Sequence, residues 1–209
     1  RDMVFGLDSS FSEEAFVARL NSDLANDLGN LLSRAVTMAV KYCDGKIPAP
    51  PPPDSETALP AMALKTVGDV ETAFADMALH KALMSIWELI GASNKYIVEN
   101  EPWTLARDPA NSVKLAAILY RLLEALRAVA ILISPFMPQA ADKILHSIGM
   151  EEKNSLNLDT IRRHDLLPEG AALNRGGSLF PRVNPEKDAP PAPAKPTLEI
   201  KPEIDYDEF

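Results

Sequence analysis

The sequence predicts an all-α fold, a helical bundle of five or six helices with a C-terminal extended segment. Apolar residues recur at three- and four-residue spacing over most of the first 150 positions, the repeat of one face of an α-helix. No run alternates apolar and polar with the period of two that a half-buried strand requires. With 209 residues, 46% of them hydrophobic, the chain can bury one substantial core, so one bundle with a tail is the expected organisation.

Ser10 or Ser12 can cap a first helix, with Glu13 and Glu14 in the first turn where the helix dipole favours negative charge. Asn21 is expected to restart the helix as a second cap, followed by Leu24, Leu28, Leu31, Leu32, Val36, Ala39 and Tyr42 at helical spacing until Asp44-Gly45. Residues 48–53 carry five prolines, lack the amide donors for helix or ladder, and predict an extended surface connection. Helical pattern resumes over about 61 to 75 and again over about 78 to 99, where Leu79, Leu83, Ile86, Ile90, Ser93 and Ile97 form a stripe.

Pro102 then reads as the stop, with Trp103 presented just beyond it. The strongest helical signal runs from about 110 to 133 and must end at Ser134-Pro135, because the residue before a proline is pushed out of the helical region. Met137-Pro138 starts a further helix that lasts to Gly149. From 151 to 177 the pattern dissolves into turns, and residues 179–183 predict a short extended piece lying back on the bundle. Residues 184–209 hold six prolines and seven acidic residues against three lysines, the composition of a linker without its own core.

Chemistry of the catalytic kind is absent from the pattern. His80, His146 and His164 are scattered and lack the spacing of a metal site, Cys43 is a lone cysteine without a local base, and no phosphate-cradling glycine loop occurs. The carboxylate pairs Glu13-Glu14 and Glu151-Glu152 read as solvated helix starts. The opening residues show no apolar signal segment, and the longest apolar stretch, 128–133, is far too short to span a bilayer, so a cytoplasmic location without membrane contact is expected. The abrupt first and last residues suggest a piece of a longer protein. A formal charge of −9, from 21 basic and 30 acidic residues, requires any nucleic-acid site to be a local patch.

Recognition chemistry is better represented. Asn30 and Arg34, four apart, share one helical face and offer an amide and a guanidinium; Trp103 offers an aromatic plane. These are the side-chain types that read and stack unpaired bases. Asn94 and Lys95 are candidate supporting residues, and Arg34, Lys41 and Lys95 are candidates for a local basic strip. Taken by spacing alone, a solvated helix face and a packed aromatic cap are the simpler explanation of the same residues.

The run 21–34, NSDLANDLGNLLSR, closely resembles the first long helix of the anticodon-binding domain of bacterial methionyl-tRNA synthetases. So do Asn94-Lys95-Tyr96-Ile97 through Glu101-Pro102-Trp103, and the late Leu179-Phe180-Pro181-Arg182. The resemblance runs in order from about Phe5 to Val183. It implies that Trp103 stacks on the first anticodon base, that Pro102 shapes its pocket, and that Asn30 and Arg34 help admit the C-A-U loop of tRNA(Met). It also implies residues 1–183 as the anticodon-binding domain and 184–209 as a linker toward a C-terminal tRNA-binding domain, an appendage that dimerises in many members. The piece itself is expected to be non-catalytic and to hold no cofactor or metal. ATP and zinc would belong to the catalytic domain of the same polypeptide. Two other readings stay open on the residues alone: the equivalent domain of another class I synthetase, and a helical protein-interaction module recruiting partners through its proline loop and acidic tail.

Overall fold

A computed structural model describes residues 12–52, 58–150, 157–163 and 166–184. Ser10, Pro53, the Glu151-Glu152 pair, His164, the first eleven residues and the tail beyond Asn184 lie outside the described residues.

Ser12 is the N-cap of α1 (Glu13–Arg19), its hydroxyl accepting from the Ala15 amide at 3.3 Å. The chain does not break at Asn21. It continues without interruption through a ten-residue π-helical segment, Leu20–Gly29, into α2 (Asn30–Tyr42), making one helical rod. The expected second cap is therefore corrected: Asn21 is inside the rod, and its side chain is used elsewhere. The wider π-helical winding brings the Leu24 carbonyl under Gly29, where a Cβ would stand 3.1 Å from it. Asp44 and Gly45, with φ of 53° and 71°, turn the chain out of α2.

Helix α3 (Ala58–Ala75) and α4 (Leu79–Asn100) form an antiparallel-style hairpin of packed helices, joined through Met77 at φ 54°. A short α5 (Pro102–Leu105) and a 3₁₀ turn (Pro109–Asn111) lead into α6 (Ser112–Ile133). Sixteen residues of α6 are buried, on every side of the helix, which is possible only because it is surrounded: it packs against α2, α3, α4, α5 and α7 (Pro138–Ser147). The fold is thus an all-α bundle in which four helical rods, the α1–α2 rod, α3, α4 and α7, pack about a central α6, as the sequence predicts.

The 151–177 stretch is not free of helix. A five-residue α8 (Leu158–Arg162), N-capped by Asn157, packs on α3 and α6. One buried ion pair holds it there. The Arg127 side chain, 1% exposed, pairs with Glu124 at 2.8 Å and donates to the Thr160 carbonyl at 3.1 Å, while the other Glu124 oxygen accepts the Leu166 and Leu167 amides at 3.0 Å each. Beyond it an isolated antiparallel bridge joins Lys46 to Ala172, flanked by the Ile47 amide bonding to the Ala171 carbonyl. Gly149 has a steric reason to be glycine: at φ 73°, a Cβ would come within 2.6 Å of the Ala172 carbonyl oxygen.

Candidate nucleic-acid interface

The polar side of α2 is a single stripe. Asn30, Ser33, Arg34, Thr37 and Lys41 follow at helical spacing, while Leu31, Leu32, Ala35, Val36 and Ala39 bury the other side in the core. Asn30 is exposed and Arg34 half-buried; among the described residues neither side chain has a hydrogen-bond or ion-pair partner. The amide and guanidinium are both unspent.

The last described segment runs backward along this stripe. Arg175 Nη2 donates to Thr37 Oγ1 at 3.4 Å, the Phe180 ring lies against Gly29, Arg182 Nη2 donates to Asn26 Oδ1 at 2.5 Å, and Val183 pairs with Asn21. The Asn21 amide makes two 2.9 Å bonds, to the carbonyl and from the N–H of Val183, imitating the edge of a strand. Leu179 is buried beneath, and Phe180 packs on the core, so the extended piece does lie back on the bundle.

Two of the three candidates for a basic strip lie on the stripe of α2. Arg34 and Lys41 belong to it, Lys41 with its ammonium 5.1 Å from the Tyr42 ring centroid. Lys95 sits on the solvent side of α4 and pairs with Glu99 at 3.4 Å. Arg175 and Arg182, which the sequence pattern does not place here, also flank the stripe. The apolar pair Leu179-Phe180 was the signal that could have found them, since docking that pair on the first rod carries both arginines with it.

Trp103 is presented by backbone geometry. Helix α4 ends because Glu101 turns left-handed, φ 41° and ψ 61°, and Pro102 then fills the first position of α5, where its missing N–H costs nothing. Pro102 is buried; the indole after it is 39% exposed. Pro102 thus starts a new helix, and the stop expected of it belongs to Glu101.

Asn94 links the two halves of the candidate site. Its Nδ2 donates to the Asp27 carbonyl at 3.2 Å and to the Ile90 carbonyl at 3.3 Å, pinning α4 to the π-helical segment. Asp27 is one turn before Asn30, and Trp103 follows nine residues after Asn94. The structure thus places Asn94 at a helix–helix contact, with Lys95 pointing away beside it.

Among the described residues no cluster of histidine, cysteine or carboxylates could hold a metal ion, and no helix is long and apolar enough to cross a membrane.

Residues 48–190 match the family model described as the anticodon binding domain of methionyl tRNA ligase. Residues 1–36 match that of class I (M) tRNA synthetases, whose boundary falls inside α2. The chain is 43% identical over 189 residues to methionine–tRNA ligase of Caldanaerobacter subterraneus, covering 90% of this chain and 29% of that one. It is 39% identical over 224 residues to the ligase of Clostridium perfringens, covering 100% and 34%. The chain therefore spans about a third of the length of the curated relatives it matches. The fold superimposes on the free-state crystal structure of Mycobacterium tuberculosis methionyl-tRNA synthetase with a TM-score of 0.81 at 38% identity, over 88% of this chain and 37% of that one. By sequence and by fold, the chain belongs to the methionyl-tRNA ligase family and corresponds to its anticodon-binding region.

Proposed function

We propose that this domain reads the C-A-U anticodon loop of tRNA(Met), the first anticodon base stacking on Trp103 while its Watson–Crick edge meets polar groups that include Asn30 and Arg34. The observation that carries the reading is an exposed indole held on a buried proline, in a fold that also presents on α2 an amide and a guanidinium without a partner among the described residues. Loop bases splay out of the helix on recognition, and aromatic planes receive them. Stacking contributes on the order of 1–3 kcal/mol per base. Asn94 acts one step back, by fixing α4 against the rod that carries Asn30.

In the intact ligase, a catalytic domain of the same polypeptide uses ATP to attach methionine to the tRNA whose anticodon this domain has bound, in the cytoplasm. ATP and zinc are assigned to that portion, a homodimer contact to the appended C-terminal domain, and residues 184–209 to the linker that leads there; residues 1–183 are the anticodon-binding unit.

A titration of the chain with stem-loop RNAs carrying C-A-U or U-A-U, at one stated low salt, tests the reading. Preference for C-A-U by about tenfold or more is expected, since each lost bidentate match is worth roughly 1–3 kcal/mol. Equal affinities would remove base discrimination from this domain.

A further inference from the structure

We infer that the cleft between α2 and the 174–179 segment is a phosphate subsite for the RNA backbone, with Arg175 as its cation. The inference rests on the anticodon-reading proposal and extends it to residues that contact no base. The cleft measures about 240 Å³, and its walls mix apolar groups with the polar side chains of Ser33, Thr37, Ser147, Asn174, Arg175 and Ser178. In a chain with 30 acidic residues, not one carboxylate lines it, and Arg175 is its single charged group.

Its donors are also unspent. The exposed Arg175 guanidinium makes one long hydrogen bond, 3.4 Å to Thr37, leaving its remaining N–H groups open. The Ser33 hydroxyl and the Gly176 and Gly177 amides have no acceptor among the described residues. A Cβ on Gly177 would meet nothing within 4 Å, so the wall there is open space. Open N–H and O–H groups around one guanidinium, with no competing anion, are the chemistry of a phosphate site. Ser33 and Thr37 belong to the same α2 stripe as Asn30 and Arg34, which makes the cleft continuous with the base-reading face. A phosphodiester next to the splayed anticodon fits here, one that supplies affinity and register without sequence information.

The test is a salt series of stem-loop titrations with the full chain, using the C-A-U and U-A-U loops. Arg175→Gln should lower the slope of log K against log salt by about 0.7, one single-strand phosphate, which corresponds to about eightfold weaker binding at 50 mM salt and about threefold at 200 mM. The loss should be equal on both loops, and Arg175→Lys should restore the slope. A neutral methylphosphonate placed position by position along the loop should find one site where wild type weakens and Arg175→Gln does not. An unchanged slope in Arg175→Gln, with Trp103→Ala still weakening binding, overturns the subsite and leaves the base-reading proposal standing. No binding of either loop by wild type overturns both. Stabilisation of wild type by millimolar inorganic phosphate, lost in Arg175→Gln with no change in the RNA slope, would make this a free-phosphate site and overturn the backbone assignment.

Discussion

Asn21 and Val183, 162 positions apart, are joined by two 2.9 Å hydrogen bonds in which one side-chain amide takes the place of a neighbouring strand. Asn21→Leu keeps the branched shape and removes both. Each such bond contributes about 1 kcal/mol net, so the variant should lose about 1–2 kcal/mol in a denaturant titration. Faster amide exchange should be confined to residues 178–183. Exchange unchanged there would show that Leu179 and Phe180 alone hold the segment.

Arg127→Met should destabilise the domain by about 3 kcal/mol. The substitution leaves Glu124 without its cation in a largely buried place and releases the Thr160 carbonyl at the same time. Glu124→Gln/Arg127→Met should recover part of the loss, because no charge is then left behind. Thermal melts of the three proteins decide the matter, and equal melting temperatures would count against the ion pair as the anchor of α8.

Trp103→Ala should weaken binding to a C-A-U stem-loop by about 1–3 kcal/mol at constant salt, with helix content unchanged by circular dichroism, since the indole is 39% exposed. Trp103→Phe should retain part of the affinity. Pro102→Ala should instead cost stability, because that ring is buried. Indistinguishable RNA affinity for wild type and Trp103→Ala would return the indole to a packing role.

Burial pushes the Cys43 thiol above its ordinary value, and the adjacent Asp44 carboxylate adds to the rise. The folded state thus holds the proton more tightly than the unfolded chain. The contribution to stability is complete below the unfolded thiol's range and is lost as pH climbs through the folded one. Alkylation at pH 8 should therefore be slower than for a free cysteine, and Asp44→Asn should speed it modestly. A rate equal to that of a free thiol would contradict the shift.

Much of the bundle was legible because proline and glycine punctuate it. Ser134-Pro135, Met137-Pro138 and Asp44-Gly45 each mark a turn where the structure has one. The π-helical segment was not, since Leu24, Leu28 and Leu31 keep the same apolar order under either winding, and the polar Asn21 then reads as a cap. Helix α8 escaped notice because five residues are too few for a period and owe their helix to Arg127. Asn30, Arg34 and Trp103 are singled out as candidates by type and by resemblance, and the structure adds their exposure and the partners they lack among the described residues. Arg175 is not singled out: it meets Thr37 across 138 positions, a distance over which no local pattern carries information.

Among the described residues, Glu101 is one of three non-glycine residues with a left-handed backbone, and the ring of Pro102 fixes the next φ as well. Two successive torsional constraints stand directly before Trp103. The indole's anchor has thus already surrendered most of its backbone freedom when the chain folds, and under the proposed reading only the side-chain torsions remain to be fixed when a base arrives. Ordering entropy that a flexible loop would lose on each encounter is here settled in advance. On that proposal, selectivity at this position depends on what surrounds the ring, and little on whether the ring is in place.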